Sequence, residues 1–154
     1  MKVIIRPFKP HEDSGIIFGT FPRNAYYIHR KTLKTKLTKD QLKAWMNTFT
    51  EHVRELLENA DIRIACMYDD PSTILGYAII NYDTCEFVYV KELHRQQGIA
   101  KFLVPDNIKK FNHITRLGRI ILDARDNRAK EEARTEASKD GRGILSNEPD
   151  STND

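Results

Sequence analysis

The spacing of hydrophobic residues predicts the elements at the start of the chain. Residues 2–7 alternate between apolar and polar positions and predict a first strand. Residues 11–21 predict a short helix, which we expect to end before Pro22 because proline removes a helix hydrogen bond. The polar and aromatic stretch 23–37 has no clear period and predicts a loop. A strand, a short helix and a long loop are therefore expected before the first strongly periodic segment.

The clearest helix signal lies at residues 39–58. Thr38 and Gln41 are spaced as a capping box, in which each side chain accepts a hydrogen bond from the backbone N–H of the other residue. Behind this box, apolar residues recur every three or four positions, which is the period of a helix with one buried face. They are Leu42, Trp45, Met46, Phe49, Val53, Leu56 and Leu57. This stripe predicts core packing rather than a ligand site.

Three short apolar runs, separated by turn residues, follow this helix. Residues 62–68, 74–82 and 85–91 predict the strands of an antiparallel meander, since the turns between them are short. Gly76, inside the second run, predicts a bulge or a close approach of two backbones. Asp83 is expected to serve the turn between the second and third runs.

Beyond Pro105 the pattern allows two interpretations. In the first, 106–116 continues a helix, and 119–124 forms a strand that leads into another helix. In the second, 110–115 is the strand and 117–137 forms one long helix. We favour the second, because Pro105 would break a helix that runs through this point.

Composition bounds the class of protein. Of 154 residues, 40% are hydrophobic and 31% are charged, which is typical of one soluble domain. We assign residues 1–138 to that domain and 139–154, where Gly, Ser, Asn and Asp dominate, to a disordered polar tail. The apolar runs are too short for a membrane span or a signal peptide. Cys66 and Cys85 lack ligand spacing and indicate reduced core thiols in a cytoplasmic protein.

One basic block of the chain surrounds a glycine. Residues 91–119 hold seven Lys or Arg against two Asp or Glu, which suits a phosphorylated ligand and equally a solvated charged face. Within this segment, Arg95, Gly98 and Ala100 stand where a strand passes through a loop into a helix. Such a junction offers unpaired backbone N–H groups and the positive end of the helix dipole, and Gly98 lets phosphates approach the backbone closely. The sequence therefore predicts an anion site here.

The pattern Arg95-x-x-Gly98-x-Ala100 resembles the Q/R-x-x-G-x-G/A signature of the GNAT superfamily of acyl-CoA N-acyltransferases. The resemblance covers about two thirds of the chain, because the order of predicted elements before the signature also fits. It implies an α+β fold with a GNAT-like mixed, mostly antiparallel twisted sheet flanked by helices. More narrowly, residues 70–77 and 95–100 look like small acetyltransferase-like proteins encoded by tailed phages, which would act in the host cytoplasm.

The resemblance also implies where acetyl-CoA would bind as a cosubstrate. In this family pantetheine inserts as a pseudo-strand between the fourth and fifth strands. The backbone of Val88 and Val90 would pair with its amides, and an N–H near Val90 would polarise the thioester carbonyl. Loop and helix residues would hold the pyrophosphate, mainly through backbone N–H groups. These residues are Arg95, Gln96, Gln97, Gly98, Ile99 and Ala100.

The activity that the resemblance implies is direct acetyl transfer to an amine. Glu86 begins the fourth strand, where the family often places a general base, and alternation would put it on the face of Val88 and Val90. An exposed or salt-bridged strand carboxylate is the alternative. Many relatives protonate the thiolate with a late Tyr, but no Tyr follows Tyr89, so the acid falls to Tyr82, Tyr89 or water.

The acceptor and the other partners are less defined. Arg23, Tyr26, Tyr27 and His29 correspond to the region that walls the acceptor pocket in the family, or else form an ordinary surface loop. The missing late Tyr favours a second hypothesis, a GNAT-fold protein that binds CoA without catalysis. Nucleic-acid and membrane partners are not expected, and a homodimer is allowed. The five histidines show no ligand spacing, so the sequence predicts no metal.

Overall fold

The computed structural model describes residues 1–32, 36–114 and 116–144. Its chain divides into two compact units, 1–119 and the part from 120 onward, and each unit is described by itself. The elements, in chain order, are β1 (Val3–Pro7), α1 (Pro10–Arg30), α2 (Lys39–Asn59), β2 (Asp61–Met67), β3 (Ile74–Asn81), β4 (Thr84–Val90), a 3-10 turn (Glu92–His94), α3 (Ile99–Leu103), β5 (Lys110–Phe111) and α4 (Arg116–Ile144).

The first unit holds a five-stranded sheet in the order β1-β2-β3-β4-β5. The first four strands pair antiparallel, so the predicted meander is confirmed. β5 pairs parallel to β4, with Lys110 opposite Thr84 and Phe111 opposite Cys85. The predicted fold class, α+β with a mixed and mostly antiparallel sheet flanked by helices, is therefore confirmed.

The first helix is longer than predicted. α1 runs through Pro22 to Arg30, so the predicted end before Pro22 is wrong, as is the predicted loop for residues 23–30. Ile17, Phe21 and Ala25 are fully buried along one side of α1. Because Ala25 lies beyond Pro22, burial of Pro22 and Ala25 favours continuation of the helix against a proline penalty of about 3 kcal/mol. Positions 33–35 of the predicted loop lie outside the described residues.

α2 begins as predicted, at its capping box. The Thr38 hydroxyl accepts from the N–H of Gln41 at 3.2 Å, and the Gln41 side chain accepts from the N–H of Thr38 at 3.0 Å. Phe49, Val53 and Leu56 are the buried residues of this helix. They join the buried side of α1 and residues of β2, β3 and β4 in one core cluster, so α1 and α2 cover the same face of the sheet.

Gly76 marks a close approach between β3 and β4, as predicted. A Cβ at this position would lie 2.4 Å from the backbone oxygen of Tyr89 and 3.1 Å from the Cα of Val90. The β2–β3 register also shifts beside it, passing from the Ala65 pair to the Cys66 pair. Gly76 is thus required because a Cβ at this position would collide with the backbone of β4.

The chain after Pro105 follows the favoured interpretation. β5 is a short strand and α4 one long helix, so the alternative strand at 119–124 is wrong. β5 ends earlier than predicted, because His113, with φ +45°, leaves the extended conformation. α4 continues into the predicted tail as far as Ile144, since extending a helix is easier than starting one. Residues 145–154 lie outside the described residues.

Among the described residues, no helix is both long and apolar enough to cross a membrane.

Candidate active site

β4 has an open edge beyond its short pairing with β5. In the part of the chain that the structure describes, β5 pairs with Thr84 and Cys85 alone. The N–H of Lys91 donates to the carbonyl of Leu75 at 2.9 Å, so the backbone of Lys91 faces β3. Because backbone groups alternate in direction along a strand, those of Val90 face the open edge, as do those of residue 88. An extended ligand chain could pair with these groups.

A loop with two left-handed residues follows β4. Gln96 has φ +64° and Gly98 has φ +77°, and Gly98 is the N-terminal cap of α3. Left-handed residues within a loop turn successive N–H groups to one side, and the first N–H groups of a helix have no acceptor within it. Residues 95–98 are exposed, whereas Ile99 and Ala100 at the start of α3 are buried. The predicted strand, loop and helix are therefore present in the predicted order. We call residues 95–100 the glycine loop.

Arg95 has a partner that the sequence does not predict. Its Nε donates to the carbonyl oxygen of Val90 at 2.9 Å. This carbonyl belongs to the open edge of β4, and the hydrogen bond ties the start of the glycine loop to that edge. Binding of phosphate by Arg95 stays a prediction, and its guanidinium also supports the end of β4.

A bulge in β4 decides the direction of Glu86. The pairing with β3 skips Glu86, and such an extra residue re-aims its side chain. Phe87 stacks on Phe21 with ring centroids 4.3 Å apart, and the ring of His113, which lies beside Glu86, contacts Phe21 at 5.5 Å. Glu86 therefore shares the α1–α2 face of the sheet with Phe87. The expectation that Glu86 shares a face with Val88 and Val90 is wrong, because the bulge interrupts the alternation.

A group of histidines lies beside this carboxylate. Glu86 is 8% exposed, and its Oε2 accepts from the Nδ2 of Asn112 at 2.9 Å. His29 Nε2 and His113 Nδ1 share a hydrogen bond of 2.8 Å. One ligand atom each of His52, Glu86 and His113 lies within 4.8 Å of the other two. We call His29, His52, Glu86 and His113 the histidine cluster.

His113 is held as a neutral imidazole. Burial lowers its pKa to about 4, and nearby His29 and His52 act in the same direction, while Glu86 opposes them. Its ring also contacts Phe49 edge-on at 5.2 Å. A neutral imidazole can accept at one ring nitrogen and donate at the other, which suits it to proton transfer or metal binding.

The α1 residues that were predicted to wall an acceptor pocket divide into two groups. His29 belongs to the histidine cluster, and the Tyr26 ring meets the Trp45 ring of α2 at 5.6 Å. Tyr27 is 49% exposed, and Arg23 is exposed as well. Of the four residues predicted to wall an acceptor pocket or to form a surface loop, two therefore turn toward α2 and the cluster. All four lie on a helix rather than a loop.

The two tyrosines considered as the acid have different surroundings. Tyr89 is half-buried, and its ring lies 5.7 Å from the ring of Tyr77, which is fully buried. Burial raises the pKa of Tyr77, whose hydroxyl shares a 2.7 Å hydrogen bond with Thr20. Tyr82 is 94% exposed in the β3–β4 turn. Of the two candidates for the acid, only Tyr89 packs against the core that α1 and α2 cover.

Sequence reasoning missed the histidine cluster. Its members come from α1, α2, β4 and the segment after β5, so no spacing along the chain connects them. One signal was present: His52 stands three residues after Phe49 and seven after Trp45, and so continues the apolar stripe of α2. The expectation of no metal rested on spacing alone, which does not address a cluster assembled in space.

Fold and site together define a class: a mixed α+β protein with an open strand edge, a glycine loop and a buried carboxylate beside histidines. No protein-family model matches the sequence, and no curated protein matches it at a significant level. Three solved structures have a similar backbone over 67% of this chain. They are apo-form YjaB from Escherichia coli, a GCN5-related N-acetyltransferase from Rhodopseudomonas palustris and an N-acetyltransferase from Staphylococcus aureus Mu50.

These similarities are distant. For the Escherichia coli structure the TM-score is 0.45 at 16% identity, and the match covers 62% of that chain. The Rhodopseudomonas structure gives 0.43 at 16% identity over 61% of its chain, and the Staphylococcus structure 0.35 at 20% over 62%. This chain thus spans less than two thirds of each structure.

Proposed function

We propose that this protein is an acetyl-CoA-dependent N-acetyltransferase that transfers the acetyl group directly to an amine within a ternary complex. One observation carries the proposal: the glycine loop, the open edge of β4 and Glu86 all belong to one continuous segment, residues 84–100. A ligand that lies along this edge with its phosphates at the loop would direct its thioester end toward the bulge that holds Glu86. The GNAT-like signature in the sequence supports the same arrangement.

The cosubstrate would be held by backbone groups. Pantetheine would pair with the edge-facing groups of Val88 and Val90, and the pyrophosphate would bind the N–H groups between Gln96 and Ala100. The carbonyl of Val90 already accepts from Arg95. Its N–H therefore is the group of Val90 that would pair with pantetheine. An N–H farther along β4 toward the bulge would polarise the thioester carbonyl as an oxyanion donor.

Glu86 would act as the general base. The amine nitrogen attacks the thioester carbonyl carbon, the C–S bond breaks, and Glu86 accepts the proton that the nitrogen loses. The hydrogen bond from Asn112 to Oε2 orients the carboxylate, so Oε1 is the oxygen that would take the proton. The departing CoA thiolate then gains a proton from Tyr89 or from water. Tyr26, His29 and the α2 residues beside them would wall the amine site.

The second candidate is a protein that binds acetyl-CoA without transferring the acetyl group. It is favoured by the absence of any Tyr after Tyr89, since many relatives in the resembled family take the thiolate proton from a late Tyr. The two candidates share the cosubstrate site and differ in turnover. The narrower likeness to phage-encoded proteins and the cytoplasmic location rest on the sequence resemblance and stay predictions.

Calorimetric titration with acetyl-CoA, followed by a thiol-release assay over a panel of amines, tests the proposal. We expect binding, and release of CoA with at least one amine. Glu86→Gln keeps the shape and the Asn112 contact, so it should bind acetyl-CoA equally well and lose about 100-fold or more in turnover. Binding without turnover over the whole panel would favour the second candidate. Failure to bind acetyl-CoA would overturn both.

A further inference from the structure

The histidine cluster contains the donor set of a metal site. Two imidazoles and one carboxylate are the protein ligands of a common type of zinc site, which keeps its remaining position open. Here the three donors come from α2, the bulge of β4 and the segment after β5. Three separate elements therefore bring His52, Glu86 and His113 together, which differs from the chance alignment of neighbours along one helix.

The distances are close to those that a metal needs. In tetrahedral zinc, bonds of about 2.0–2.1 Å place neighbouring ligand atoms about 3.3–3.4 Å apart. The ligand atoms of His52, Glu86 and His113 lie within 4.8 Å of one another. The site therefore has to close by about 1.5 Å at most. His52 is exposed on α2, so its side chain can turn inward with little disturbance of the core.

Two of the three donors are already oriented by a neighbour. Asn112 donates to Oε2 of Glu86, which leaves Oε1 to face a metal. His29 shares a hydrogen bond with Nδ1 of His113, which leaves Nε2 as the ligating nitrogen. Metal-bound histidines and carboxylates nearly always have such outer partners, because these fix the tautomer and the direction of the lone pair.

The donor types select the class of ion. Mg²⁺ and Ca²⁺ prefer sites made of oxygen ligands alone, whereas two imidazoles favour zinc and similar transition metals. We propose that His52, Glu86 and His113 bind one divalent transition-metal ion of the zinc type, with His29 and Asn112 as outer partners. This proposal departs from the sequence-based expectation of no metal.

Metal binding would have a consequence for the proposed activity. An ion on Glu86 would occupy the carboxylate that we assign as the base, so zinc should inhibit acetyl transfer. This consequence rests on the proposed function, whereas binding of the ion does not. Zinc affinity is therefore measured without acetyl-CoA, and its failure would leave the transferase proposal standing. Equally, absence of transferase activity would leave the metal site standing.

The direct test is calorimetric titration of ZnCl₂ into the full-length, tag-free protein after treatment with a chelator. We expect one ion per chain. His52→Gln and Glu86→Gln should each weaken zinc binding at least about tenfold, because even loss of an outer partner weakens metal binding about 10–100-fold. Cobalt(II) in place of zinc should give the strong visible absorption of a four-coordinate ion, and each substitution should reduce it.

The matched control is His11→Gln. His11 is exposed on α1 and is not a member of the cluster, so this variant should bind zinc as the parent does. His52→Gln lies at an exposed position, so it should remain folded, and circular dichroism can check this. Zinc affinity that is equal in the parent, His52→Gln and Glu86→Gln would overturn the proposal. No binding at millimolar zinc would overturn it as well.

Discussion

The glycine loop and the histidine cluster are built in different ways. The loop consists of six consecutive residues, and its shape depends on local backbone conformation, above all the positive φ of Gln96 and Gly98. The cluster takes its members from four separate segments, and aromatic rings of the core contact it. Substitutions in the loop should therefore change ligand affinity with little effect on stability. Substitutions at the cluster should change stability as well as chemistry.

The largest effect is expected from Phe21→Ala, because the Phe21 ring contacts His113 of the cluster. Phe21 is fully buried, stacks on Phe87 and meets Phe49 edge-on at 5.1 Å. Removing a buried Phe ring lowers the free energy of unfolding by about 3–5 kcal/mol, through lost burial and the cavity left behind. The matched control is Phe102→Ala on α3, where Phe102 is 66% exposed and the loss should stay within about 0.5 kcal/mol. Denaturant unfolding measures both, and equal losses would contradict the comparison.

Gly98→Glu tests the loop side of the comparison. Among the described residues, nothing lies within 4 Å of a Cβ at Gly98, so the side chain fits, although φ +77° strains any L-residue. A carboxylate beside the pyrophosphate should replace attraction by repulsion. Loss of two charge-assisted hydrogen bonds, about 3 kcal/mol in total, corresponds to roughly 100-fold weaker binding of acetyl-CoA.

Gly98→Gln is the control for this substitution, because it has the same bulk and backbone strain without the charge. The two variants should unfold at similar temperatures, and Gln should retain more acetyl-CoA affinity than Glu. Calorimetry gives the affinities and thermal unfolding the stabilities. Acetyl-CoA affinity that is unchanged in Gly98→Glu would remove the glycine loop from the binding site.

The same difference explains what could be predicted from the sequence. Helix α2, the meander and the glycine loop depend on signals within short windows: a capping box, alternation, and Gly98 after a strand. α1 could not be predicted beyond Pro22, because its continuation depends on burial of Ala25 in the core formed by other elements. The direction of Glu86 depends on the β3–β4 register, which a period of two does not reveal. The histidine cluster depends on tertiary packing and left almost no local signal.

Gly76→Ala should affect both regions, because β4 connects them. The added Cβ would meet the backbone oxygen of Tyr89 at 2.4 Å and so displace β4 near Val90. Overpacking of this kind typically lowers the free energy of unfolding by about 1–3 kcal/mol, and acetyl-CoA affinity should fall with it. Gly19→Ala is the control, since Gly19 lies in α1 with no described atom within 4 Å and Ala should stabilise that helix by about 1 kcal/mol. Unchanged affinity in Gly76→Ala would separate the binding site from this part of β4.

The effect most particular to the cluster is a pH dependence caused by His113. Its pKa is about 4 in the folded protein, against an ordinary value of 6.5, because burial disfavours the charged ring. Between pH 6.5 and 4 the unfolded chain therefore binds the proton more readily than the folded one. It follows that the stability is fully present above pH 6.5 and falls as the pH is lowered toward 4. His29, His52 and Glu86 face this ring and modulate the shift.

His113→Asn removes the titrating ring and tolerates the left-handed backbone, since Asn adopts positive φ more readily than most residues. Measured with a chelator present, the melting temperature of the parent should fall more between pH 7 and pH 5 than that of His113→Asn. Gly98→Gln, in the loop, should keep the parent's pH dependence, because no group of the cluster is altered. If the melting temperatures of the parent and of His113→Asn fall equally, protonation of His113 does not destabilise the folded protein. The cluster and the glycine loop would then differ in packing but not in their response to pH.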